Sequence, residues 1–324
     1  MTAIAHYNLL ERLHESAFGE LYRARDTKVG RTVALRVLKA ATLAEAGSRE
    51  EFLEDARAAT TLSHPNIATL FEVGEHEGGC YLAYEFAAGI TLAQESGGRA
   101  VNPRRTVELA VQIADALADA HGSGVLHGDL RPDTIIVTNK GSAKVLEFGM
   151  SRWTSGGRIR AVAARAPRSL GPEAVSIVSY MSPEQALGGA IDPRTDVFSL
   201  GVLIYEMLTG RNPFVTRTAA DTLVNVVSAA IPPAHALSTT LSDLDALVMR
   251  AMAKDIDSRP QSAAAFSAEL RGIGAILDVR AGDAAPSDLL PLDDEGAQGG
   301  TWWLIAAAGG VLAALAWWIL RRGL

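Results

Sequence analysis

The feature that most constrains this chain is a change of hydrophobic period part-way along it. Up to Glu85, short apolar runs are separated by turn residues: YNLLERL, GELYRARD, TVALRVL, IATLFEVG and CYLAYEF. That is the pattern of five strands, with one helix at about 47–62 between the third and fourth. From Pro103 the period becomes helical. VELAVQIADALADAHGSG carries apolar residues at helical spacing and ends on a glycine stop. Further helices are predicted at about 194–209, 218–229, 242–253 and 261–277. Strands first and helices after predict an α+β fold, with a small strand-rich lobe followed by a larger helical one.

With 324 residues, the chain can bury a sizeable core without staples. Its single cysteine, Cys80, excludes an internal disulfide framework and a Cys-rich zinc site. A net charge of −7 argues against general nucleic-acid binding. The mean hydropathy of +0.13 is high for a soluble domain, and the excess is concentrated near the end. Residues 302–320, WWLIAAAGGVLAALAWWIL, hold no charge over 19 positions and carry tryptophan pairs at both ends. As a helix they would span roughly 28 Å, about one bilayer core, with Trp302, Trp303, Trp317 and Trp318 as interfacial belts.

Four parts are therefore expected: a body at 7–277, an acidic flexible linker at 278–300, a transmembrane helix at 301–320 and a short tail at 321–324. The opening residues MTAIAHYNLLERLHE lack the apolar run of an export signal, which predicts a single-pass protein with its body in the cytoplasm. The flanking charges vote the other way. Arg321 and Arg322 lie beyond the span and Asp293, Asp294 and Glu295 before it, against the positive-inside bias. The linker carries −5 and the tail +2, so the body is only mildly acidic at −4. Ala306, Gly310 and Ala314 recur on one face of the span, where small residues permit close homodimer packing or reflect ordinary membrane-helix composition.

The body also carries an ordered series of motifs. They are a loop at 13–22, VALR at 33–36, HPNI at 64–67, HGDLRPDT at 127–134, EFG at 147–149, YMSPE at 180–184, DVFSLG at 196–201 and SRP at 258–260. In this order and spacing the chain resembles the bacterial membrane-anchored serine/threonine protein kinases over about residues 7–277. The resemblance implies a bilobal kinase-like fold, with a five-stranded N-lobe and a helical C-lobe, and use of ATP and Mg²⁺. It implies that Glu184 and Arg259 form a buried ion pair. It also implies that Asp196 anchors the catalytic-loop backbone.

The chemistry implied for the family is positioning and charge neutralisation of a transferring phosphoryl group. Here the motifs depart from the family pattern one after another. The GxGxxG loop is His14-Glu15-Ser16-Ala17-Phe18-Gly19, keeping only the last glycine. The lysine that holds the α- and β-phosphates is Arg36, and a planar fork does not substitute freely for a compact ammonium. Its helix partner aligns with Asp55, with Glu54 as the alternative, and an Arg36–Asp55 bridge is expected. Asp129 matches the catalytic base, and Arg131 stands where the family has a lysine near the γ-phosphate. Gly128 replaces the arginine that reads a phosphorylated activation loop. Thr134 replaces the metal-binding asparagine, and Glu147 replaces the aspartate that is the principal Mg²⁺ ligand. Octahedral Mg²⁺ tolerates such displacement poorly. Ile177 stands where a threonine normally bonds the catalytic aspartate, a bond isoleucine cannot make.

Two functions stay open at this stage: a catalytically impaired scaffold, or pseudokinase, and an active kinase with Asp129 as base and Glu147 on Mg²⁺. Leu13, Leu21, Ala34 and Ile136 match the apolar walls around adenine, and Glu85 to Ala87 match the hinge after Tyr84, so weak or metal-independent ATP binding is an expectation. The partner is expected to be a protein, as substrate or as binding partner. Residues 150–172 hold Arg152, Arg158, Arg160, Arg165 and Arg168 with no acid before Glu173. They read either as a docking strip for an anionic partner or as a solvated loop.

Overall fold

The computed structural model describes residues 3–16, 19–38, 49–153, 159, 161–163, 166–171, 174–234 and 242–283. The expected span at 302–320, and with it Ala306, Gly310 and Ala314, lies outside the described residues. Among the described residues, no helix is long and apolar enough to cross a membrane.

The first lobe is built on an antiparallel sheet of six strands, one more than the sequence pattern predicts. They are β1 (Ala3–Ile4), β2 (Tyr7–Ser16), β3 (Gly19–Asp26), β4 (Thr32–Leu38), β5 (Leu70–His76) and β6 (Gly79–Glu85), in the order β1-β2-β3-β4-β6-β5. The extra strand is the two-residue β1, too short to show a period. Helix α1 (Arg49–Thr60) lies between β4 and β5, as predicted. Alternation along the strands sorts residues onto two faces. Val33, Leu35, Tyr81 and Ala83 join the outer cluster, while Leu38, Leu82 and Tyr84 face inward with Phe52 and Ala56 of α1. Gly19 opens β3 at φ +150°, and a Cβ there would lie 2.0 Å from the Val37 carbonyl oxygen. Close strand approach therefore requires the one glycine kept in the motif His14–Gly19.

The second lobe is helical: α2 (Pro103–Gly122), α3 (Pro193–Thr209), α4 (Ala219–Ser228), α5 (Ser242–Ala251) and α6 (Ala263–Asp283). The start of α2 is fixed by Pro103 in its first turn and by Asn102, whose side chain accepts the Arg104 N–H. Helix α3 is apolar nearly all round and accordingly buried, from Val197 to Leu208 apart from Glu206. It packs on α2 and α5 at the centre of the main core. A small second sheet, β7 (Gly89–Thr91), β8 (Ile135–Thr138) and β9 (Ala143–Val145), adjoins the lobe junction. Helix α6 continues to Asp283, so the residues expected to open the linker at 278 still belong to the helix.

The basic segment is anchored by apolar residues where it is described, between exposed Arg152, Ala161, Ala166, Arg168 and Ser169. Met150 and Trp153 are buried in the inner N-lobe cluster. Ile159, Ala163 and Leu170 pack with Ala174, Val178 and Met181 and with Ala219 and Leu223 of α4. Arg168 is exposed, while Arg158, Arg160 and Arg165 lie outside the described residues.

Candidate active site: a cleft with exchanged partners

The loop His127–Thr134 is held by a bond network rooted in α3. The buried Asp196 carboxylate accepts the backbone N–H groups of His127 at 2.9 Å and Gly128 at 2.7 Å, and the His121 ring at 2.8 Å. Burial pushes the Asp196 carboxyl up, but the His121 bond, the nearby His127 and the Gly128 N–H hold it below its ordinary value. His127 Nδ1 accepts the Asp129 N–H at 3.1 Å, which leaves Nε2 to donate to the Leu146 carbonyl at 3.0 Å. The imidazole thus ties the loop bearing Asp129 to the strand leading to Glu147.

Gly128 has φ +69°, in the left-handed region, and a Cβ there would approach Ser151 Oγ to 3.1 Å. Its carbonyl accepts the Gln185 amide at 2.9 Å. Below the loop, Arg259 bonds both oxygens of Glu184 at 2.9 Å, and its side chain is fully buried. Burial raises the Glu184 carboxyl. The bonds from Arg259, the backbone and Thr195 outweigh that and hold it low.

At the reacting end, the buried Asp129 shares the Arg131 guanidinium with Asp133: Nε lies 3.5 Å from Asp129 and Nη1 2.9 Å from Asp133. The Thr134 hydroxyl donates toward the Arg131 and Asp129 carbonyls at 2.9 and 3.3 Å and accepts the Arg131 N–H at 3.1 Å. Ile177 lies half-buried in the one-turn helix Val175–Val178.

The upper wall of the cleft departs from expectation. Arg36 does not pair with Asp55. Its guanidinium bonds the Glu147 carboxylate, with both side chains largely buried. Asp55 instead accepts the indole N–H of Trp153 at 2.7 Å, and Glu54 is exposed. Glu147 sits at φ +62°, a left-handed conformation that costs a non-glycine residue about 1–3 kcal/mol. The Phe148 ring after it is buried in the main core and edge-on to His127 at 4.9 Å. Burial is the largest influence on Arg36 and lowers its pKa. The Tyr84 phenol opposes this and Arg131 adds to it. Burial likewise raises the Tyr84 phenol, whose buried hydroxyl has no hydrogen-bond partner among the described residues.

The remaining expected residues Leu13, Leu21, Ala34 and Ile136 come from β2, β3, β4 and β8. Leu21 is directly opposite Arg36 across the sheet and Ala34 opposite Tyr84. Leu13 is exposed beside them, and Ile136 comes from β8 below. Glu85 turns away from the cleft: its carboxylate pairs with Lys144 at 2.6 Å, while its backbone N–H bonds the Thr69 carbonyl at 2.8 Å. Ala87 follows, half-buried.

A family model described as "Protein kinase domain" matches residues 7–269. The chain belongs to the protein kinase family. It is 33% identical over 290 residues to the serine/threonine-protein kinase pkn3 of Myxococcus xanthus, an alignment covering 86% of this chain and 52% of that protein. Identity to the serine/threonine-protein kinase PknB of Mycolicibacterium smegmatis is also 33%, over 273 residues, 82% of this chain and 42% of that one. The chain thus spans about half the length of the curated relatives it matches. Among solved structures, a mutant form of the Mycobacterium tuberculosis PknI kinase domain aligns with TM-score 0.65 at 25% identity, covering 85% of this chain and 97% of that one. Another crystal structure of the same domain aligns with TM-score 0.67 at 24% identity, covering 85% and 97%.

ATP and Mg²⁺ are what the family implies. As arranged, the donors do not fit a divalent cation: the Glu147 carboxylate is neutralised by a guanidinium and the Thr134 hydroxyl is spent inside its own loop. Sequence reasoning missed Trp153. It is the one tryptophan outside the 302–320 run, a large ring among small and basic neighbours, and that isolation was the available signal.

Proposed function

We propose that the chain is a membrane-tethered signalling domain of the protein kinase family that binds a protein partner, with phosphoryl transfer impaired. The carrying observation is the Arg36–Glu147 pair. The cation implied to hold the nucleotide phosphates and the carboxylate implied to hold Mg²⁺ occupy each other. A metal–nucleotide complex has to separate a largely buried pair before it can seat. ATP binding in this reading is weak and metal-independent, with adenine against Leu13, Leu21, Ala34 and Ile136 at the Tyr84–Ala87 edge. The residual catalytic roles fall to Asp129 and Arg131. Tethering rests on the sequence of residues 302–320, the body is read as lying on the cytoplasmic side, and Ala306, Gly310 and Ala314 offer a homodimer face.

A second reading, an active serine/threonine kinase with Glu147 and Thr134 on Mg²⁺, is favoured by the intact Asp196 network and the left-handed backbone at Glu147. Transfer of radiolabelled γ-phosphate by the full chain, with Mg²⁺ or Mn²⁺, separates the two. Losing one preorganised contact costs about 10²–10³ in rate. Turnover is therefore expected far below the family's ~1–100 s⁻¹ and no greater than that of Asp129→Asn. Robust transfer abolished by Asp129→Asn overturns the impaired reading.

A further inference from the structure

We infer that Trp153 is a positioning residue: by holding Asp55 it keeps α1 from Arg36, and so leaves Arg36 to close on Glu147. The inference rests on the reading of this cleft as a nucleotide site. Three contacts carry it, all from the 3₁₀ turn Ser151–Trp153 to one stretch of α1. The indole N–H donates to Asp55 at 2.7 Å. The indole ring stands edge-on to Phe52, centroids 5.2 Å apart at 86°. Arg152 pairs with Glu51 at 3.1 Å. Trp153 is 1% exposed and shares a cluster with Leu38, Phe52, Ala56 and Tyr84, so it fills the space between α1 and the sheet.

Asp55 is a methylene shorter than the glutamate implied at its place. Held by the indole on one side of α1, it does not reach Arg36. A largely buried guanidinium needs an anion, and the carboxylate it takes is Glu147. The exchange of partners is therefore one event with two ends. Releasing Asp55 from Trp153 makes it available to Arg36, and that in turn returns Glu147 to the open cleft.

The test uses the full chain and the variants Trp153→Phe, Asp55→Leu and the double variant. Trp153→Phe keeps a ring against Phe52 and removes only the N–H and the larger outline. ATP affinity is measured with Mg²⁺ and with chelator. Trp153→Phe is expected to raise the ratio of the two about tenfold, the scale of one charge-assisted hydrogen bond. The double variant, lacking the Asp55 carboxylate, is expected to show the wild-type ratio. An unchanged ratio in Trp153→Phe, or an equal gain in the double variant, overturns the inference.

A second readout needs no nucleotide. In protein labelled with 5-fluorotryptophan, the Trp153 ¹⁹F resonance is the one that remains when Trp302, Trp303, Trp317 and Trp318 are replaced by Phe, and Asp55→Leu should move it. A resonance that stays in place overturns the inference, and this arm stands even if Trp153→Phe fails to fold. If no form binds ATP while Asp55→Leu moves the resonance, the nucleotide reading falls and the contact between Trp153 and Asp55 is supported.

Discussion

The two walls of the cleft have been treated differently. The lower wall, from the helical lobe, keeps the two scaffold bonds the resemblance implies, Asp196 on the loop N–H groups and Glu184 on Arg259, and lacks the threonine bond at Ile177. The upper wall keeps the charges but exchanges their partners, with Arg36 on Glu147 and Asp55 on Trp153. The lower bonds lie inside the main core, where a lost partner leaves a buried charge or N–H group exposed to no water. The upper pairs face a cleft and can re-pair while every charge still finds an opposite. Function can thus drift on one wall while the other holds the fold.

The largest expected effect tests that division directly. Arg259→Met leaves the Glu184 carboxylate without its cation and should destabilise the chain by about 3–5 kcal/mol, read by urea unfolding. Arg36→Met leaves Glu147 in a cleft that water can enter, and a loss of about 1–3 kcal/mol is expected. A larger loss for Arg36→Met than for Arg259→Met would invert the comparison.

The same division explains what the sequence made legible. Helix positions and the five long strands were readable because burial imposes a period on them, while the roles of Asp196, Glu184 and Arg259 came from the resemblance that the ordered motifs carry. The Arg36–Asp55 bridge was misread because a list of charges does not say which of Asp55, Glu54 and Glu147 the Arg36 cation meets. Two of those acids, Asp55 and Glu147, are contributed by separate elements, and the arbiter is an indole N–H that carries no charge. The strand β1 was missed because two residues have no period, and the packing of Ile159 and Ala163 because their burial depends on α4, far along the chain.

A smaller effect sharpens the comparison at the point where the walls meet. Gly128 at φ +69° lies in the lower wall but in a motif position where the family implies arginine. Gly128→Arg restores the cation and places a Cβ where left-handed backbone costs about 1–2 kcal/mol. The approach to Ser151 Oγ at 3.1 Å adds crowding. The variant should therefore lose about that much stability in the same unfolding measurement. A neutral or stabilising change would show that the loop backbone adapts, and that the lower wall is less fixed than its bonds suggest.

The smallest effect is a pH dependence within the helical lobe. Lys254 Nζ donates to the Val226 carbonyl at 2.6 Å and lies 4.1 Å from the Phe214 ring centroid. Burial, and then the neighbouring Arg259 charge, lower its pKa from 10.5 to about 8. Below about pH 8 both folded and unfolded chains carry the proton, and the folded state bears the cost of a partly buried ammonium. Between about 8 and 10.5 the unfolded chain still holds the proton while the folded chain has released it. The unfolded state then binds more protons, so stability rises with pH across that window. Partial exposure keeps the rise modest. The tyrosines, with Tyr84 and Tyr180 raised by burial, pull the other way once the unfolded phenols ionise near pH 10. The informative range is therefore pH 8 to about 9.5, and Lys254→Met should flatten the rise there while leaving the Arg36–Glu147 wall untouched. A rise of equal slope in Lys254→Met would assign the titration to another group.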